Sequence, residues 1–524
     1  MSMKKIAFLF LALSLVTSCN QRSGELVGVE GRERWFQPDP FGTLFVPMGS
    51  FHMGPDDEEA PMAHTTKSKM VSVQAFYIDD SEITNNEYRQ FVFWVRDSIA
   101  RRLLIDGGKE QEFGITQADF LQTWPVYTGD KNLQDPYINW NTPIDWNSGA
   151  EDVREILRPM YLPEGERFYN RKEIDTRKLN YEYYRIDIRL AAAKSNRFKP
   201  SRSFDTSKDK KAKNKKYING TTKNDGNYLG EKKVADKTKD PTEAPTNEDA
   251  NLGRYDVTYP TREYAPSFAD NLYSKKGKVN ELDRSAFIVK DVINVYPDTL
   301  AWIHDFTYAF NEPMTNMYFW HPAYDDYPVV GVTWKQARAF SIWRSHLLNN
   351  FLIGTGQSIV NDFRLPSESE WEYAARGGLD KSPYPWGGPY TRNAKGCFLA
   401  NFKPMRGSLV DDGGFHTVYV YSYNPNDFGL YCMAGNAAEW TSNAFDESAY
   451  DFQSDMNPDF TFEASDDEKK NVLKRKVIRG GSWKDVGYYI QNSARTYEYQ
   501  DTAKCYIGFR NVMTYLGRSK FDDI

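Results

Sequence analysis

Hydrophobic and polar positions divide the chain into an apolar head, two patterned stretches and an uneven middle. Ile6 to Val16 reads IAFLFLALSLV behind Lys4 and Lys5, interrupted only by Ser14. The run is shorter than the ~20 residues a bilayer-spanning helix needs and has the length of a signal-peptide core. Further on, Thr84-Asn85-Asn86-Glu87 has the form of a capping box, in which the hydroxyl accepts from the Glu87 amide and Glu87 reaches back to the Thr84 amide. Tyr88, Phe91, Val92 and Val95 follow at helical spacing, so an amphipathic helix is expected there. The same logic recurs at Thr333-Trp334-Lys335-Gln336, whose helix sets Ala337, Phe340, Trp343 and Leu347 on one side. A third box, Ser367-Glu368-Ser369-Glu370, precedes Trp371, Tyr373, Ala374 and Ala375 and is stopped by Gly377-Gly378. Beyond it Gly, Pro, Asn and Asp interrupt the chain every few residues, which predicts short strands and tight turns.

These patterns give a plan: a leader over 1–18, a linker over 19–40, two patterned parts over 41–95 and 327–513, and a tail over 514–524. Residues 96–326 form an insertion between the two parts. Its flanks, Trp124 to Trp146 and Phe287 to Trp320, are aromatic-rich and can fold. Its middle, 194–239, holds 15 Lys and Arg against 5 Asp and Glu. A tract of that kind reads first as a solvated, mobile loop, and second as a contact for an acidic partner or anionic headgroups. The chain carries 34 Tyr, 32 Phe and 13 Trp at a mean hydropathy of -0.68, which points to a loop-rich fold held by aromatic packing.

The apolar head ends in Val16-Thr17-Ser18-Cys19, which resembles the lipobox read by the lipoprotein signal peptidase. Lipidation at Cys19 is therefore expected, with the mature chain anchored in the outer envelope, outside the cytoplasm. That compartment argues against nucleic acid as a partner. Cys397, Cys432 and Cys505 remain, an odd number with no C-x-x-C spacing. The six His are scattered without H-x-H or H-x-x-x-H, so a His-built metal centre has no support.

Several stretches in order resemble the formylglycine-generating-enzyme (FGE-sulfatase) family. They are Phe45-Val46-Pro47-Met48-Gly49-Ser50-Phe51-His52-Met53-Gly54, Glu82-Ile83-Thr84-Asn85, Pro328-Val329-Val330-Gly331-Val332 and Arg364-Leu365-Pro366-Ser367 through Gly378. Tyr384-Pro385-Trp386-Gly387, Gly435-Asn436 with Glu439-Trp440, Arg479-Gly480-Gly481-Ser482-Trp483 and Gly508-Phe509-Arg510 complete the series. The resemblance implies an α+β, C-type-lectin-like fold of short strands, few helices and many loops, here with a large insertion. Enzymes of the family hold copper(I) on two cysteines five residues apart, soft ligands suited to that ion. The matching positions are Gly487 and Asn492, so no copper and no catalysis are expected. The resemblance also implies calcium sites. One would use Asn401, the Phe402 carbonyl, Asp412 (or Asp411) and the Phe415 carbonyl. The other would use the Gly435 and Ala437 carbonyls and Glu439, but its usual Asp or Asn falls on Cys432, a poor calcium ligand.

Within that family, the lipobox, the insertion, Pro40 to Pro47 and His321-Pro322-Ala323-Tyr324-Asp325-Asp326-Tyr327-Pro328 resemble the gliding-motility lipoprotein K group (PorK/GldK type) of the type IX secretion system. The sister lipoprotein J shares the second of these motifs. The resemblance implies self-association in a periplasmic ring with a partner protein N (PorN/GldN type). An outer-membrane-anchored sulfatase-modifying enzyme and a ligand-binding lipoprotein are the alternatives.

Overall fold

Capping decides where the long helices begin. The computed structural model describes residues 36–55, 68–115, 137–146, 150–187, 191–192, 288–306, 312–405, 407–464 and 468–517. The leader with Cys19 and the Lys-rich tract 194–239 lie outside the described residues. All three capping boxes form. Helix α1 (Asn85–Leu104) starts at Thr84, α2 (Trp334–Gly354) at Thr333 and α3 (Glu368–Arg376) at Ser367. Helix α3 ends at Gly377, whose φ of 59° is the left-handed conformation glycine adopts without penalty.

Short strands arrange these helices. β1 (Thr43–Val46), β2 (Phe76–Asp79), β3 (Phe363–Arg364) and β4 (Val512–Thr514) form one antiparallel sheet in the order β1-β2-β4-β3. A second sheet joins β5 (Ala438–Ala444), β6 (Arg475–Arg479), β7 (Thr496–Tyr499) and β8 (Ile507–Gly508) in the order β7-β6-β5-β8, with β5 and β8 parallel. Three two-stranded antiparallel pairs stand apart from these sheets: β9 (Gly49–Met53) with β10 (Lys69–Val73), β11 (Asn180–Ile186) with β12 (Ile288–Asn294), and Gly114–Ile115 with Tyr137–Ile138. The architecture is α+β with few long helices, as expected.

The main core packs Tyr88, Phe91, Val92 and Val95 of α1 against Ala337, Phe340 and Trp343 of α2, Trp440 and Phe509. Tyr88 stacks on Phe340 at 5.6 Å, and its hydroxyl donates to the Val295 carbonyl at 2.9 Å. Burying such aromatics supplies large apolar area, while the phenol retains a partner. One expectation fails here. Leu347 is 50% exposed, although Ser345 and Leu352 on either side of it in α2 are buried.

The domain plan also needs correction. The boundary drawn at 95/96 falls inside α1, which continues to Leu104. The C-terminal part runs through Thr514, which closes β4. The described parts of the insertion pack into the rest of the chain. Tyr181 and Tyr183 of β11 lie in the main core, and Arg338 of α2 bonds Glu463, Asp291 of β12 and the Tyr183 hydroxyl. Trp140 stacks on Trp94 of α1 at 5.1 Å, under the Arg101 guanidinium. Residues 40–515 form one compact unit. In a second small unit, Leu516 donates its amide to Gln37.

Candidate functional site

Helix α3 places Glu368, Glu372 and Arg376 one turn apart on its buried polar face, opposite Arg479 at the end of β6. Arg479 donates to Glu368 at 2.6 Å, to Glu372 at 2.9 Å and to the Tyr450 hydroxyl at 2.8 Å. Arg495 closes on both oxygens of Glu368, and Arg376 takes Glu372 at 2.7 Å. Burial alone would push Glu368 up, but Arg495 and Arg479 overcome it and hold the carboxyl below its ordinary value. The ends are tied off as well: the Gly54 amide donates to Glu372, and Arg479 reaches the Asn492 and Ala494 carbonyls. Buried charges paired on several sides lock loops together, although the Arg479 Nε itself has no hydrogen-bond partner among the described residues.

A second buried cluster lies beside it. Arg510 grips both oxygens of Glu439 at 2.6 and 2.7 Å, and the Trp371 indole donates to the same carboxylate at 2.7 Å. Glu82 is fully buried and accepts from the Ala437 amide at 2.9 Å and the Asn436 side chain at 2.8 Å. Burial and the neighbouring Glu439 push its carboxyl up to about 8, against the pull of Arg510. The buried Cys432 thiol donates to the Val420 carbonyl, and burial raises its pKa well above the ordinary thiol range. It is therefore a neutral packing group.

Gly487 and Asn492 lie in different settings. The Gly487 carbonyl accepts from the Tyr384 hydroxyl at 3.0 Å, and Tyr384 stacks on Trp386 at 4.9 Å. A Cβ added at Gly487 would meet only ordinary contacts with Tyr384, Phe402 and Thr391. Asn492 is fully buried. Its amide donates to the Pro383 carbonyl and its side chain to the Ser382 carbonyl.

The oxygen-rich loop over 401–416 packs beside these clusters. Asn401 donates its side-chain amide to the His416 carbonyl at 2.8 Å, leaving its buried Oδ1 with no hydrogen-bond partner. Asp412 accepts from the Phe402 amide at 2.7 Å, and burial raises its carboxyl pKa. Asp411 instead accepts from the exposed Ser408 hydroxyl. Gly435 has a φ of 76°, and a Cβ there would fall 2.2 Å from the Asn401 carbonyl, so this crossing requires glycine.

The model of the sulfatase-modifying factor enzyme 1-like domain (FGE-sulfatase) matches residues 34–149 and 219–515. The chain belongs to this family. It is 32% identical over 192 residues to the inactive C-alpha-formylglycine-generating enzyme 2 of Bos taurus, covering 35% of this chain and 50% of that one. It is 31% identical over 189 residues to the formylglycine-generating enzyme of Streptomyces coelicolor, covering 35% and 52%. The chain thus spans about half the length of these relatives, one named inactive and one named as the enzyme. Among solved structures, PvdO from Pseudomonas aeruginosa aligns at 24% identity with a TM-score of 0.28, over 36% of this chain and 63% of that one.

Against the FGE-sulfatase pattern, the residues meet the two calcium cages unequally. The first has an unpartnered buried Asn401 Oδ1, one buried carboxylate at Asp412, and the Phe402 and Phe415 carbonyls nearby in sequence. That set is oxygen-only and fits a hard cation. The second does not fit. Arg510 and Trp371 occupy the carboxylate of Glu439, and Cys432 stays a thiol. Among the described residues no three His, Cys, Asp or Glu gather as a metal site. Sequence reasoning missed Glu82, Glu368, Glu372, Arg495 and Tyr450. The signal available was the i, i+4 pair of acids on the side of α3 that also carries Trp371.

Proposed function

We propose that this FGE-sulfatase-family chain is a non-catalytic structural lipoprotein of the type IX secretion and gliding machinery. In this reading it is anchored through Cys19 at the periplasmic face of the outer membrane and assembles into a ring with a partner of the N type. The observation that carries the non-catalytic part is that no cysteine occurs between Cys432 and Cys505. That interval holds Arg479-Gly480-Gly481-Ser482-Trp483 and the two positions matched to the copper ligands. Without a thiolate pair there, copper(I) has no soft ligands and cysteine oxidation no route. Gly487, with room for a side chain and none present, and Asn492, turned into a loop anchor, agree with a scaffold that has shed the chemistry. The lipobox, the insertion and the His321 to Pro328 motif support the secretion-ring assignment, with lipoprotein J as the sister alternative.

The family's first calcium cage belongs to the same reading, with Asn401, Phe402, Asp412 and Phe415 supplying oxygens to a structural ion. Two experiments test the proposal. Detergent-solubilised native envelope should yield this chain in ring-shaped particles together with a second protein, and a lone monomer without partner would refute the ring. Incubation with copper and a sulfatase-motif peptide should leave the peptide mass unchanged. Aldehyde formation would restore the enzyme reading.

A further inference from the structure

Away from the buried clusters, a cleft of about 310 Å³ opens where α1 meets the end of the insertion. Among the described residues Asn86, Arg89, Gln90, Phe93, Trp320 and Asp325 line it: two aromatic rings and four planar polar groups, without an aliphatic side chain or a hydroxyl among them. Asn86, Gln90 and Phe93 fall at i, i+4 and i+7 of α1, so a helix rather than a loop keeps them in register. The Phe93 and Trp320 rings are 5.7 Å apart and tilted by 37°, and they are 36% and 41% exposed. Both are held by neighbouring side chains. The Arg96 guanidinium lies 4.6 Å from the Phe93 centroid, and the Trp320 indole donates to the Tyr296 hydroxyl.

The polar half is equally defined. Arg89 donates to the Trp320 carbonyl at 3.0 Å and pairs with Asp325, so the charges in the cleft cancel. Asn86 and Gln90 are exposed, and among the described residues their side chains meet only each other, at 3.4 Å. Their remaining donors and acceptors face water.

We propose that this cleft is a binding subsite for a neutral pyranoside glycan. The C–H face of a sugar ring packs on aromatic rings, while planar amides and a carboxylate bond neighbouring hydroxyls with paired donors and acceptors. Other ligand classes match less well. A phosphate or nucleotide needs an unmatched cation, and Arg89 is matched. A lipid chain needs aliphatic lining. A peptide added as a β-strand needs a strand edge, and this surface is a helix face. The volume stands at the lower end of ligand pockets, which suits a short glycan segment bound weakly.

The full chain would be titrated with chitotriose and with maltotriose, read by saturation-transfer NMR and by tryptophan fluorescence. At least one sugar should bind saturably, with transfer strongest to its ring C–H protons. Trp320→Ala should weaken that binding by about tenfold, the scale of one aromatic contact. Gln90→Ala, on an exposed helix position where folding is not at risk, should weaken it by about fivefold, the scale of one hydrogen bond. Thermal melts of both variants would confirm intact folding. The proposal is overturned if neither sugar binds the wild type, if binding survives both substitutions unchanged, or if inorganic phosphate displaces the sugar.

Discussion

Glu82→Gln probes the buried cluster where two carboxylates share one guanidinium. Glu82 is fully buried, with its carboxyl pushed up to about 8 by burial and then by Glu439. In the unfolded chain the same group titrates at its ordinary 4.5. Between those values the folded state holds a proton that the unfolded state has released, so stability falls as pH rises. The slope is about 1.4 kcal/mol per pH unit, roughly 4–5 kcal/mol across the window. Below pH 4.5 this contribution is fully present; above about pH 8 it is gone. Glutamine keeps the shape but cannot titrate, and it offers one acceptor where the Ala437 amide and the Asn436 side chain now bond two oxygens. It should therefore cost about 1 kcal/mol at pH 5 and be neutral or stabilising at pH 8. Urea unfolding at each pH, with the m-value held constant, would measure both chains. Asp79, pushed up to about 6 by burial, tilts the wild-type curve in the same sense, so the informative quantity is the difference between the two chains. Parallel curves for wild type and variant from pH 5 to 8 would refute the reasoning.

Arg479→Met should destabilise the chain by roughly 3–5 kcal/mol, because it strands Glu368 and Glu372 as buried carboxylates; denaturant midpoints would show it. Arg338→Ala removes the link from α2 to Asp291, Tyr183 and Glu463, and should speed hydrogen exchange in β11 and β12 while leaving β5 and β6 protected. If calcium occupies the Asn401 cage, added calcium should raise Tm and a chelator lower it, with both responses lost in Asn401→Ala. A Tm indifferent to both reagents would remove the ion from the proposal.

Local chemistry was legible wherever a few neighbouring residues decide the outcome. Thr84, Thr333 and Ser367 announce helix starts because a cap needs only its own turn, and Gly377 announces a stop for the same reason. The apolar faces of α1 and α3 were readable from spacing. Leu347 was not, since periodicity tells which face of a helix is apolar but not where the neighbouring elements end. Arg376, Arg479 and Arg510 were visible only as members of the quoted motifs. Their partners Glu368, Glu372 and Glu439 were hidden, because acids in a helix or strand look solvated until a distant arginine is folded onto them. The carboxylate of the doubtful second calcium cage was equally opaque, since the residue that bonds it lies 71 positions away.

The insertion shows what composition alone leaves unsaid about its relation to the rest of the chain. Read as a block over 96–326 it is an addition, yet its described parts complete the core rather than decorate it. Tyr181 and Tyr183 fill the surface beside Phe91 and α2, and Trp302 stacks on Trp483 at 6.0 Å. Asp305 holds Lys504 and the Cys505 amide, and Glu312 takes His416 at 2.9 Å. Each contact joins an insertion residue to a family motif or its neighbour. Deleting the whole insertion would therefore expose buried aromatics and orphan charged groups. A test of its role must cut within it, at 208–239, or alter single contacts such as Trp302→Ala. If that substitution loosens the Trp483 loop without touching β1 to β4, the insertion acts as a local brace. If it unfolds the chain cooperatively, core and insertion form one folding unit, as the shared packing around Tyr88 and Val295 predicts.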